Sequence, residues 1–153
     1  MAAPTPHTGP TFEGVTPVLP VRDLTASTAF YVGILGFRVD WQARESGFAS
    51  VSRDSCHLFL CEGDQGTPGT WLWIGVSDVS ELCREYLSKG APIRHPPTNY
   101  PWALEMQVQD PDGNVLRMGS EPLSDQPFGE WLDMRGIAWV HTSDGTWVKG
   151  EST

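Results

Sequence analysis

"DPDGNVLRMGS", residues 110–120, joins a tight-turn signal to a short strand that is apolar except for one arginine, Arg117. Aspartate, proline and glycine favour turns because they bond back onto the chain, preset φ or tolerate positive φ. The stretch matters for what it matches. "PDGNVLRM" (111–118) lies over "RDSCHLFL" (53–60) at an offset of 58, and "VSDVSEL" (76–82) lies over "VRDLTAS" (21–27) at an offset of 55. A longer loop around "RHPPTNYP" (94–101) accounts for the three-residue slip. Two in-register copies mean one supersecondary unit used twice, neither able to cover its own sheet face alone.

The unit itself can be read from the first copy. "VTPVLPVRDL" (15–24) is short and β-like, and in "TASTAFYVGILGF" (25–37) Phe30, Ile34 and Leu35 recur near helical spacing before a glycine stop at Gly36. "FRVDWQA", "GFASVSR" and "CHLFLCE" then alternate between polar breaks, as in a small antiparallel meander. The order is β-α-β-β-β. In the second copy "TWLWIGVSDVSELCREYLSKGAPI" (70–93) reads as a strand, a helix with Val79, Leu82, Tyr86 and Leu87 on one face, and a stop at Gly90. The chain divides into a Pro- and Gly-rich arm (1–13), a first module (14–66), a second module (67–122) and a C-terminal extension (123–153). In the extension "SDG" between "IAWVH" and "TWVK" predicts a β-hairpin, with Trp131, Trp139 and Trp147 packing it against the domain.

A chain of 153 residues fits one domain, or two small modules sharing a core. Its formal net charge of −9 repels nucleic acid and anionic membranes and attracts cations at long range. The opening "MAAPTPHTGPTFEG" lacks a basic region followed by an apolar run, and no stretch approaches the ~18 apolar residues of a membrane span, so a cytoplasmic location is expected. Cys56, Cys61 and Cys83 lack CxxC spacing and read as reduced thiols, Cys83 as helix filler.

Period-two alternation sorts the strands. Leu72, Ile74 and Val76 face the helix, which leaves Trp71, Trp73 and Gly75 on the other face. Ala49 and Val51 point inward, and Phe48, Ser50 and Ser52 outward. Leu104, Met106 and Val108 are core, whereas Glu105, Gln107 and Gln109 line the opposite side. That side carries tryptophan, phenylalanine, carboxylate, amide and hydroxyl groups without a nucleophile–base pair.

The two copies, "RDL…FYVGILGF" in the first and "DPDGN" before the last strand of the second, together resemble the vicinal oxygen chelate superfamily over residues 14 to about 122. That family includes glyoxalase I, extradiol dioxygenases and the fosfomycin- and bleomycin-resistance proteins. The resemblance implies an α+β fold in which each βαβββ module curls a mixed sheet into half a cup, two modules forming one cavity. Metal-dependent members place His, Glu or Gln at four strand positions, which here hold Thr16, Phe59, Trp71 and Arg117. None suits a mononuclear metal centre, so neither metal nor cofactor is expected. Arg117 then reads either as a fixed cation in the cavity or as the partner of an acid such as Glu105. His57 shares a face with Phe59, but His7, His95 and His141 fall in loops or the tail, so no second ligand joins it.

The nearest likeness is to the bleomycin-resistance proteins, carried by "PVL" and "RDL", "LGF", "FASVSRD", "WIGVSDVSEL" and "YPWALEMQVQDPDGN". It implies a metal-free, non-enzymatic homodimer that sequesters a planar cationic drug, Phe48 and Trp102 sandwiching the ring and Trp41 and Trp73 walling a groove at the subunit interface. Pro17 stands near the arm that crosses to the partner in that family. Together with the residues that alternation and position place in the cavity, the candidate ligand set is Trp41, Phe48, Phe59, Cys61, Trp71, Trp73, Trp102, Glu105, Gln107 and Arg117. Two other readings stand beside it: a metal-dependent enzyme of the same superfamily, and a binder of another small aromatic metabolite.

Overall fold

The computed structural model describes Ala3 and residues 8–150. Most of the first seven residues of the expected arm, His7 among them, and residues 151–153 lie outside the described residues. The chain runs β1 (Val18–Pro20), α1 (Leu24–Gly33), β2 (Arg38–Ala43), β3 (Phe48–Arg53) and β4 (Cys56–Cys61). It then repeats the order with β5 (Trp71–Gly75), α2 (Val79–Ser88), β6 (Ile93–Asn99), β7 (Leu104–Gln109) and β8 (Val115–Ser120). Each unit forms a four-stranded mixed sheet of equivalent order, β1-β4-β3-β2 and β5-β8-β7-β6. In both, the first strand lies parallel to the last and the other pairs are antiparallel. The fold is the α+β arrangement of two βαβββ modules.

The repeated "RDL/SDV" motif has a local physical cause. Asp23 accepts a hydrogen bond from the Ala26 backbone N–H at 2.9 Å, and Asp78 does the same for Glu81 at 2.9 Å. Each aspartate satisfies one of the orphan amides at its helix N-terminus and so starts the helix at an equivalent place in each copy. Past the end of α1, Gly36 adopts φ +78°, and a Cβ there would lie 2.7 Å from Arg53 Nη1. Only glycine meets both constraints.

The helices bring the modules together. Leu24, Tyr31 and Leu35 from the α1 side join Ala49, Val51, Leu58 and Leu60 of the first sheet in one buried cluster. The same cluster holds Val79, Cys83 and Tyr86 of α2 and Met106, Val108, Leu116 and Met118 of the second sheet. The two modules therefore meet through their helical sides, and each sheet turns its other face away from this shared core. Leu87, expected on the inner face of α2, is exposed; Cys83, one turn from Val79, takes that place.

Polar ties cross the same seam. Tyr86 donates to the Leu35 carbonyl at 3.0 Å, Asn114 Nδ2 to the Pro20 carbonyl at 3.0 Å, and Tyr31 to Asp110 Oδ2 at 2.9 Å. Burial pushes the Asp110 carboxyl and the Tyr31 phenol above their ordinary values. Arg53 grips Glu85 of α2 with bonds of 2.7 and 3.0 Å and holds its carboxyl below the usual range. A carboxyl lowered in the folded state stabilises above its unfolded pKa, and that contribution is lost as pH falls through the lowered value. Glu85→Gln should therefore be less stable than the parent at about pH 7, modestly so for a half-exposed pair, and converge with it at about pH 2 in urea titrations. Parallel curves across that range would count against the clamp.

Two sequence expectations need correction here. "RHPPTNYP" is not a loop throughout, because Ile93–Asn99 forms β6 at the sheet edge. Register shifts on both sides of His95 accommodate Pro96 and Pro97, which an edge strand tolerates. His95 thus lies on a strand, as does His141. The extension, too, is more than a hairpin: β9 (Trp131–Leu132), β10 (Ala138–His141) and β11 (Trp147–Lys149) form a three-stranded sheet, order β11-β10-β9. The β10–β11 pair closes across "SDG" as expected, with His141 opposite Trp147. No helix among the described residues is long and apolar enough to cross a membrane.

Candidate binding site

On the outward face of the first sheet, Trp41 stacks on Phe48 with ring centroids 5.8 Å apart and planes 11° from parallel. Phe59 leans against both, at 5.7 Å from Trp41 and 5.3 Å from Phe48. Strand register creates this patch: β3 sets Phe48 opposite Ala43 of β2 and Cys61 of β4, and Ser50 opposite Phe59. Cys61 is buried at the edge of the patch. All three cysteines are free thiols.

The outward face of the second sheet centres on Glu105. Its buried carboxylate accepts Arg117 Nε and Nη2, both at 3.0 Å, and the indole N–H groups of Trp73 at 2.8 Å and Trp102 at 3.0 Å. β7 and β8 pair so that Arg117 sits beside Gln107, two residues along the same face from Glu105, and β5 places Trp73 next to Arg117. Gly119 leaves room for this: a Cβ there would stand 3.0 Å from the Trp73 ring. Of the two readings of Arg117, pairing with Glu105 is the one seen, and the carboxylate expected to select a cation is already neutralised.

The extension covers much of this face. Asn99 of β6 clasps its start, donating to Leu123 and Gln126 carbonyls and accepting the Leu123 N–H at 2.8 Å. Tyr100 donates to the Glu130 carbonyl at 2.7 Å, and burial raises its phenol to about 12. Gln107 donates to the Leu132 carbonyl at 2.9 Å and accepts from Arg94, so this amide, expected to line an open cavity, is sealed beneath β9. Trp71, also expected against ligand, lies 5.1 Å from the Arg94 guanidinium on its ring face and 6.2 Å from Trp131. Gln109 is exposed at the end of β7.

Trp102, Arg117, Trp131, Trp139 and Trp147 line an open cavity of about 280 Å³. Trp102 is stacked on Tyr100 at 4.9 Å and lies 5.7 Å from Trp147. The sandwich of Phe48 and Trp102 is expected across a subunit interface; within one chain Phe48 packs on Trp41 and Phe59, and Trp102 on Tyr100 and Trp147. The tryptophans of the extension escaped the sequence reading as site residues, since nothing in their spacing distinguishes packing from lining. Their one signal was density: Trp131, Trp139 and Trp147 fall within a short tail.

Among the described residues no group of three or more His, Cys, Asp or Glu side chains is placed to hold a metal ion. Thr16, Phe59, Trp71 and Arg117 supply a hydroxyl, two rings and a guanidinium already bonded to Glu105. Such a set does not fit a divalent cation.

Residues 8–118 match the Glyoxalase/Bleomycin resistance protein/Dioxygenase superfamily. The chain belongs to that superfamily. No curated protein matches it. Solved structures in its likeness include the bleomycin-binding protein from bleomycin-producing Streptomyces verticillus, crystallised with copper(II)-bleomycin, at 29% identity and TM-score 0.63. The match covers 73% of this chain and 98% of that one. TnmS3, an antibiotic binding protein from Streptomyces sp. CB03234, aligns at 26% identity and TM-score 0.65 over 75% of this chain and all of its own. TioX from Micromonospora sp. ML1, at 20% identity and TM-score 0.60 over 72% of this chain and 100% of its own, shares the fold. The superfamily match ends before β9, so the three-stranded extension lies beyond it.

Proposed function

We propose that this protein is a stoichiometric binder that sequesters a flat, aromatic, positively charged antibiotic of the bleomycin type without turning it over. The observation carrying this reading is the exposure of aromatic rings on both outward sheet faces: Trp41 at 46%, Trp73 at 50% and Trp102 at 44%. Exposed aromatic clusters of this kind mark interaction surfaces, and flat rings stack on them at ~1–3 kcal/mol each. The similarity to proteins that bind bleomycin and another antibiotic supports the ligand class. With Glu105 neutralised by Arg117, the preference for a cation rests on the indole faces and on the net charge of −9.

A homodimer completes this reading. Trp41, Phe48 and Phe59 make no ring contact with Trp73 or Trp102 among the described residues, and a second copy would set the two clusters opposite each other across a groove. The arm supports it, for Phe12 and Val15 are 96% and 90% exposed in the single chain.

Bleomycin titrated into the purified protein should quench tryptophan emission, saturating at micromolar drug, with the drug recovered unchanged in mass. Flat emission, or a modified drug, would overturn the proposal.

A further inference from the structure

We infer that the C-terminal extension builds, within one chain, a subsite for a single flat ring system that bears a hydrogen-bond acceptor. The inference deepens the binding function proposed above and rests on it for the ligand's general class, yet it places the contact in a segment beyond the superfamily match.

The extension is fixed over the second sheet rather than trailing from it. Beyond the Asn99 clasp, the Gly129 N–H donates to the Asn99 carbonyl at 3.0 Å, and a Cβ at Gly129 would fall 2.3 Å from Thr98 Cγ2. The approach is one only glycine permits. Asp133 ties the β9–β10 turn, accepting the backbone N–H groups of Arg135 and Ile137, and its other oxygen accepts the Trp139 indole at 3.0 Å. One wall ring is therefore held in orientation by the turn itself.

Three walls of the cavity, Trp131, Trp139 and Trp147, come from three different strands of the extension, and Trp102 and Arg117 complete it from the module. Its volume of about 280 Å³ falls just below the ~300–1,000 Å³ of sites for drug-sized ligands. The space suits two or three fused rings, not a whole glycopeptide. Charge at the floor is balanced because Arg117 spends Nε and Nη2 on Glu105. Its Nη1 makes no hydrogen bond among the described residues, and the guanidinium lies 5.7 Å from the centroid of the Trp131 ring. Aromatic walls with one free guanidinium N–H at the floor select a planar ligand carrying a carbonyl oxygen or ring nitrogen.

The test uses the full chain with two probes: acridone, a flat tricyclic ketone, and bleomycin. Acridone should shift the indole N–H resonances of Trp102, Trp131, Trp139 and Trp147 and leave that of Trp41 in place. Trp147→Ala in the extension and Trp102→Ala in the module should each weaken acridone at least tenfold, whereas Leu87→Ala on the far side of α2 should leave affinity within about twofold. The resonance shifts are read on the wild-type protein, so they stand even if a variant unfolds its extension. No shift up to the solubility limit of acridone, or shifts confined to Trp41, would overturn the subsite. Acridone binding that depends on Trp147 while bleomycin fails to bind would sustain the subsite and remove the antibiotic reading. Bleomycin binding with no response of the extension indoles to either probe would do the reverse.

Discussion

Glu105→Ala should destabilise the protein by about 3–5 kcal/mol, the cost of breaking a buried ion pair from one side. The carboxylate is fully buried and satisfies four donors at once, two on Arg117 and one each on Trp73 and Trp102. Removing it leaves a half-buried guanidinium without counter-charge and two indoles without acceptors, each carrying its own desolvation penalty. Glu105→Gln should fall between, since the amide still accepts but cannot neutralise. The double replacement Glu105→Leu with Arg117→Met should recover much of the loss, because a well-packed apolar pair is often as stable as the ion pair it replaces. Equilibrium unfolding in urea would measure all three. If the single alanine variant matched the parent, the carboxylate would be incidental to the sheet.

Asp110→Ala is the second large effect, about 3–5 kcal/mol by the sum of the groups it strands. Oδ1 accepts the backbone N–H groups of Asp112 and Asn114, closing the turn before β8, and Oδ2 accepts Tyr31 and the Asn114 amide. The same carboxylate thus shapes the turn and binds it to α1 of the other module. Asp110→Asn keeps one accepting oxygen and should lose clearly less. Tyr31→Phe, which removes only the donor from α1, separates the two roles: a small loss there assigns most of the Asp110 effect to the turn. Thermal and chemical unfolding of the three variants would settle the ranking, and an alanine variant as stable as Tyr31→Phe would refute the turn role.

Much of the fold was legible because the repeat is written in residues with local physics. The matching aspartates Asp23 and Asp78 cap their helices, and alternation in "FASVSR" and "LEMQVQ" sorted core from outer face correctly at Ala49, Val51, Met106 and Val108. The pairing of Arg117 with Glu105 was one of two open readings, since a single strand pattern shows which face a charge occupies but not what stands beside it. Harder to read was anything that depends on the extension. β9 is two residues long, too short for any period, so alternation places Gln107 in an open cavity whereas Leu132 lies over it. For the same reason the packing of Trp71 on Arg94 and Trp131 is invisible in its strand pattern. Pro96 and Pro97 hid β6, because bulged edge strands break the rules that mark interior ones.

Both repeats drive their helices into a single interior, so neither half owns a nucleus it could carry off if the chain were severed between them. Cutting in the β4–β5 connection would uncover the inner surface of both pieces. Novelty in such an architecture can accrue only at its margins, where new strands may be laid on without disturbing what lies beneath. The segment after β8 is an addition of that sort, and it reshapes the outer surface of the second module while leaving both repeats intact.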